Sequence, residues 1–280
     1  MKKLFFCLAI LLNGWGIQAQ RLLLTTFAGV SNYQGDLQDK IFTFQESNIA
    51  GGIGVAYEIT DQLYATANIK FGKLSASDKF SSKNASRNLS FSTPLSQFQI
   101  GLEYDLFNLK ERLLTPYFFA GLAAYHFNPS TIDSAGNKVY LQPLGTEGQG
   151  FYNGRSKYNL TQISIPLGAG IKYALNENIR LGFEIGFSKL FTDYIDDVST
   201  TYVDQSSLLT NNGPTAVELA FRGNELNHGA TYPADGSSRG NPSSKDWYYF
   251  SGLTVSFRIA GSEYGGNGGK NKTGCPTNVY

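Results

Sequence analysis

What this chain lacks narrows its class. Nowhere does it offer the roughly 18 uninterrupted apolar residues that a membrane-spanning helix needs. It has 2 cysteines and 2 histidines in 280 residues, Cys7 and Cys275, His126 and His228. So few histidines leave little material for a nucleophile–base pair, and no G-x-S-x-G elbow is present. Neither a cofactor-binding nor a metal-binding pattern stands out. The 23 Lys and Arg balance 22 Asp and Glu, for a net charge of +1, which points to neither nucleic acid nor an acidic membrane surface.

The first residues read as a secretory signal. Lys2 and Lys3 form a positive start, and Leu4 to Leu12 is an apolar run too short to span a bilayer. Asn13, Gly14 and Gly16 break that run, and cleavage after Ala19 would begin the mature chain at Gln20. Cys7 lies inside the apolar run rather than at the cleavage point, which argues against a lipoprotein. Cys275 is then the only cysteine of the mature chain, so no intramolecular disulfide is expected. The boundaries that follow are a signal peptide over 1–19, a barrel over 20–260 and a flexible Gly-rich tail over 261–280.

What is plentiful is glycine (31), phenylalanine (20) and tyrosine (17), a composition of strands and turns. The strongest signal is alternation of period two. Ile163, Ile165, Leu167, Ala169, Ile171, Tyr173 and Leu175 alternate with Gln162, Ser164, Pro166, Gly168, Gly170 and Lys172. Similar runs cover Ile49 to Ile59, Leu63 to Phe71, Gln97 to Leu106, Ile179 to Phe191 and Trp247 to Ile259. Thr115 to Phe127 is apolar throughout, and Arg21 to Ser31 is the least regular. Pro166 cannot donate to a ladder, so a bulge is expected there. Eight candidate strands result, several of them long enough for tilted membrane strands of about 9–11 residues.

The connections sort by length. Those near Thr60–Asp61, Asn176–Asn178 and Asn108–Leu113 are short. Those over Asn32–Ser47, Ser75–Asn88, Asn128–Lys157 and Ile195–Asp246 are long. That alternation predicts an all-β fold: an eight-stranded antiparallel transmembrane up-and-down barrel with short periplasmic turns and long extracellular loops. Tyr57, Tyr104, Tyr117, Tyr173 and Phe257 form one expected lipid-facing girdle, and Phe71, Phe127, Phe187, Trp247 and Tyr249 the other.

An eight-stranded barrel is just wide enough for side chains to fill. The inward sets carry Lys70, Lys172, Arg180 and Arg258 against Glu58, Glu103, Asp105 and Glu184. A neutralised charge network plugging the lumen is predicted, with an ion or proton path as the alternative. Asp193, Asp196 and Asp197 could bind a cation but fit a solvated loop base better. Gly145 to Gly150 is glycine-rich yet precedes no helix, so it makes a poor phosphate cradle. His126 at the outer interface reads as an anchor rather than a base.

Several segments carry a resemblance. They are Asn32 to Leu37 (NYQGDL), Thr115 to Gly121 (TPYFFAG), His126 to Pro129 (HFNP), Leu141 to Gly150 (LQPLGTEGQG), Tyr158 to Pro166 (YNLTQISIP), Phe191 to Tyr202 (FTDYIDDVSTTY) and Lys245 to Tyr248 (KDWY). In this order they resemble the PorG-like family, the outer-membrane barrel subunit of the type IX (Por) secretion system, over nearly the whole mature chain to about Ile259. The resemblance implies a non-enzymatic role, with outer-membrane lipid and the periplasmic ring subunits of that system as partners. The ring would be tethered to the membrane of a diderm bacterium. It carries over no catalytic, cofactor or metal residue, and a general small barrel (adhesin, stabiliser or narrow pore) or a lipid-modifying enzyme remain alternatives.

Overall fold

The computed structural model describes residues 21–259, apart from 39–42, 44, 81–83, 153 and 227–230. The signal segment 1–19, the tail 261–280, Cys275 and His228 lie outside the described residues.

The alternating runs form strands β1 (Leu22–Gln34), β2 (Asn48–Glu58), β3 (Leu63–Ser77), β4 (Ser90–Asp105) and β5 (Leu114–Phe127). A short hairpin follows, β6 (Ser130–Ile132) and β7 (Lys138–Tyr140), then β8 (Thr161–Ala174), β9 (Ile179–Leu190) and β10 (Trp247–Arg258). Eight of these ten build one closed antiparallel meander. Each barrel strand pairs with the next, and β10 returns to β1 over twelve registered residues, Leu23 opposite Arg258 to Gln34 opposite Trp247. Closure leaves the barrel itself without an edge, so its backbone groups are satisfied within the wall, as a bilayer requires. The β6–β7 hairpin extends the wall beyond β4 at the long-loop end, through Ser92 opposite Ser130.

Outward positions are apolar and exposed. Ile53, Phe98, Ile100, Leu122, Ile163 and Leu253 are each more than half exposed. A ring of such residues on every strand is far larger than the apolar patches of soluble monomers and makes a lipid-facing belt. The connections at one end span only 59–62, 106–113 and 175–178. Those at the other span 35–47, 78–89, 128–160 and 191–246. The longest carries two helices, α1 (Gln205–Asn212) and α2 (Pro214–Ala220). Asp204 caps α1 by accepting from the Ser207 backbone N–H, and Pro214 starts α2, where a missing N–H costs nothing.

Four sequence readings are corrected by this wall. Tyr117 and Phe127 face the lumen and are buried, not the lipid. Their segment is apolar on both faces, so its parity is set by register with neighbours: Tyr117 lies opposite Asp105 and Gly170, both inward. Tyr249 points outward by parity but is covered, its ring 5.3 Å from that of Phe187. Pro166 makes no bulge, because equal numbers of residues are skipped on β5 and β8 between Ala120–Leu167 and Ala123–Ser164. It pairs normally with Ser188 of β9 and turns its missing N–H toward β5. Finally, β3 and β4 run on to Ser77 and from Ser90, further than their polar alternation reaches. Above Lys70 and Gln97 the inward residues turn apolar (Leu74, Ala76, Phe91, Leu95) and pack into an inner core.

Candidate functional site: a plugged lumen and its outer cap

Two layers fill the barrel, and they differ in chemistry. The lower one is ionic. Lys172 reaches Glu103 and Asp105, the latter at 2.8 Å. Lys70 binds Glu184 at 2.5 Å, and the Tyr117 hydroxyl donates to the other Glu184 oxygen at 2.9 Å. Glu58 takes Arg258 at 2.8 Å and Arg180 at 3.8 Å, while Arg180 also donates to the Tyr64 hydroxyl. All eight charged residues singled out from the sequence therefore meet in the lumen. The Lys70 ammonium lies against the ring faces of Phe27 and Phe250, and that of Lys172 against those of Tyr64 and Tyr117. A cavity of about 60 Å³ remains among these groups, room for a few water molecules. Below it the periplasmic mouth widens into a vestibule of about 830 Å³, lined by Arg21, Asp61, Lys110, Glu177 and Arg258 among others.

The upper layer is aromatic and aliphatic, and the sequence did not announce it. Gln97 marks the change, accepting from the Tyr248 hydroxyl at 2.6 Å and donating to Gln99. Above it, inward Phe27, Leu74, Phe91, Leu95, Tyr125, Phe127 and Phe250 pack against loop residues Leu37, Leu141, Tyr158, Ile195, Val198 and Leu219. The rings of Tyr125, Phe127, Tyr158 and Tyr194 stack in series from the wall into the loops. The outer loops thus form part of the barrel's core.

The hydroxyls of Tyr158 and Tyr194 lead into a buried polar cluster, donating to Asp197 and Glu147. Glu147 is fully buried and accepts from Arg239 at 2.9 Å, the Ser199 and Thr200 backbone N–H groups, and the Thr200 hydroxyl. Asp197 accepts from Thr146 at 2.5 Å and Tyr158 at 2.7 Å. Arg239 also donates to the Asp197 and Ala220 carbonyls. Arg87 forks onto Asp78 with two bonds of 2.7 Å and reaches the Arg239 carbonyl. Asp196 and Asp246 flank the Tyr33 hydroxyl, at 2.5 and 3.0 Å. Asp193 accepts from Ser199, and its other oxygen is buried with no hydrogen-bond partner.

This corrects the reading of Asp193, Asp196 and Asp197 as a solvated loop base: all three are at most 2 % exposed. Among the described residues no group of three or more His, Cys, Asp and Glu side chains is arranged to hold a metal ion. Burial instead pushes the carboxyls of Asp193 and Asp197 up to about 6, in Asp197 against the attraction of Arg239. The glycine-rich Leu141–Gly150 segment is the turn that presents Glu147. Gly145 and Gly148 sit at φ 58° and 82°, where a side chain would be strained, and a Cβ on Gly145 would strike the Gln149 carbonyl at 2.6 Å. His126 lies on the exposed outer wall with Thr161 as its partner at 2.8 Å.

The segments quoted for the family resemblance largely converge here: NYQGDL brings Tyr33, LQPLGTEGQG brings Glu147, YNLTQISIP brings Tyr158, FTDYIDDVSTTY brings the three aspartates, and KDWY brings Asp246. A usable signal was the density of Asp, Tyr, Thr and Gly in loops otherwise long enough to vary freely.

Among solved structures, the chain is similar to Neisserial surface protein A (10 % identity, TM-score 0.40, covering 85 % of this chain and 96 % of that one). It is also similar to Ail of Yersinia pestis, solved with a heparin analogue (9 %, 0.38, 84 % and 97 %), and to OprG of Pseudomonas aeruginosa (8 %, 0.39, 85 % and 97 %). Identities and TM-scores this low carry nothing about function. No curated protein sequence matches the chain. A family model, however, matches residues 2–213, and the chain belongs to that family, DUF6089, a domain of unknown function.

Proposed function

We propose that this barrel is a sealed, non-enzymatic anchor in the outer membrane, reached after export through a cleaved signal peptide. Its task is to hold the periplasmic ring of a type IX secretion machine against the membrane. The observation that carries the sealed-anchor part is the filled lumen, with an ionic layer below and an aromatic core above it. The secretion part is supported by the ordered segments that resemble the PorG-like family. The periplasmic vestibule and the three short turns supply surfaces available to a ring beneath the membrane.

The test is affinity purification of the tagged protein from gently solubilised outer membrane, with partners identified by mass spectrometry. Ring subunits that co-purify and are lost on deletion of 261–280 support tethering through the tail. Ring subunits that survive the deletion point to the short turns. A barrel that comes down alone while the ring stays intact removes the secretion role. Planar-bilayer recordings test the seal separately, and a large stable conductance would overturn it.

A further inference from the structure

Tyr33 stands at the outer end of β1, between two carboxylates from opposite ends of the longest loop. Asp196 lies near the start of that loop and Asp246 at its end, one residue before β10. The Tyr33 hydroxyl is 2.5 Å from Asp196 Oδ2 and 3.0 Å from Asp246 Oδ1. Each remaining carboxylate oxygen is also engaged: Asp196 Oδ1 accepts from the Val198 N–H at 2.9 Å and Asp246 Oδ2 from the Ile195 N–H at 3.1 Å. Tyr33 and Asp246 are at most 1 % exposed, and Asp196 2 %.

A phenol has one hydrogen to donate. It cannot serve two ionised carboxylates, so one of the two contacts needs a proton on an aspartyl oxygen, donated to the tyrosine oxygen. The surroundings favour that extra proton. From the loop after β1, Asp36 faces Asp196, and from within the longest loop Asp193 faces Asp246. The facing cation is Arg87, between β3 and β4, and it is already held bidentately by Asp78. Burial, then these like charges, pushes both Asp196 and Asp246 well above the usual carboxylate range.

We propose that Asp196, Tyr33 and Asp246 form a proton-held latch, in which one shared proton fastens both ends of the longest outer loop to the top of β1. Loss of that proton to solvent as the pH rises releases the loop base. The latch is independent of the secretion role and would operate in any sealed barrel with this cap. Gly35 shows how closely it is fitted: a Cβ there would fall 2.0 Å from both the Tyr33 hydroxyl and Asp246 Oδ1.

Trp247 adjoins Asp246 and reports on the site; the other of the two tryptophans, Trp15, falls in the signal peptide that export removes, so the exported chain carries Trp247 alone. The measurement is quenching of Trp247 fluorescence by iodide, in protein reconstituted into bilayers and titrated from about pH 5 to about pH 10, a span that starts just above the ordinary carboxyl range, passes that of histidine and reaches that of tyrosine. A one-proton rise in quenching with increasing pH is expected. Asp246→Asn and Asp196→Asn each supply an amide N–H to Tyr33 without a titrating proton, so each should abolish the transition and stay in the low-quenching state. Gly35→Ala should be in the high-quenching state throughout. A flat titration of the parent protein overturns the latch, as do Asn variants that keep the parent midpoint. Circular dichroism identifies any variant whose barrel has not folded, and the remaining variants then decide.

Discussion

The two halves of the lumen solve the same problem by opposite means. The lower half fills its space with four cations and four carboxylates, all drawn from strands and held by a rigid wall. The upper half fills it with rings and aliphatic chains, and borrows much of its material from loops. Buried charge tolerates no missing partner, whereas a packed core loses stability in proportion to the volume removed. The lower layer should therefore fail as a unit and the upper one by degrees.

The sharpest way to break that contrast is Lys172→Met. It leaves Glu103 and Asp105 buried together without their cation, for an expected loss of about 3–5 kcal/mol of barrel stability, measured by urea unfolding in lipid. Restoring neutrality with Asp105→Asn in the same chain should recover part of that loss. A recovery of nothing would mean the charge layer does not act as one network.

Phe127→Ala comes next. It removes a fully buried ring from the middle of the aromatic stack, for about 3 kcal/mol. Hydrogen exchange should rise first in residues 194–203 and leave β9 and β10 protected. Equal loosening of cap and wall would erase the distinction between the halves.

The pH dependence of the cap is smaller. Asp193 and Asp197 have carboxyls raised to about 6 by burial, against about 3.9 in an open chain. The raised groups bind protons more tightly in the closed cap. Their contribution is fully present below the open-chain value and is lost as pH rises through about 6. Cap opening, read by exchange at residues 195–203, should therefore become easier between about pH 4 and 6, by on the order of 2 kcal/mol for each of the two groups. An exchange-corrected profile that is flat there would count against buried, proton-binding aspartates.

Least of all should follow from Asp61→Asn. The Lys110–Asp61 pair at the periplasmic rim spans 2.5 Å, but both partners are exposed. The unfolding midpoint should not move, which makes it a control for the lumen pairs.

Much of the wall was legible because a half-buried strand advertises its two faces. β2, β8, β9 and β10 begin and end within a residue or so of their alternating runs. The eight lumen charges were legible for the same reason: each sits at an inward position between outward apolar residues. The inner face of β5 was hidden, since Tyr117, Phe119 and Tyr125 look no different from outward Phe118 and Leu122. The cap was hidden more deeply. Its bonds join Glu147 to Ser199 and to Arg239, across 52 and 92 residues of chain. Nothing periodic marks such partners; a loop aspartate that is buried and one that is solvated have the same neighbours in sequence.

The closing register of the barrel also bears on how it is assembled. β1 is the first described strand and β10 the last, and Gln34 opposite Trp247 is the topmost pair of their twelve-residue seam. Until β10 arrives, β1 and β9 each present a long unpaired edge, so the final strand is the step that turns a curved sheet into a tube. Tyr33 and Asp246 sit immediately at that topmost pair. Their contact needs the topmost pair of the seam in register, so the same cluster that fastens the outer loop also ties the first and last barrel strands together at their outer ends.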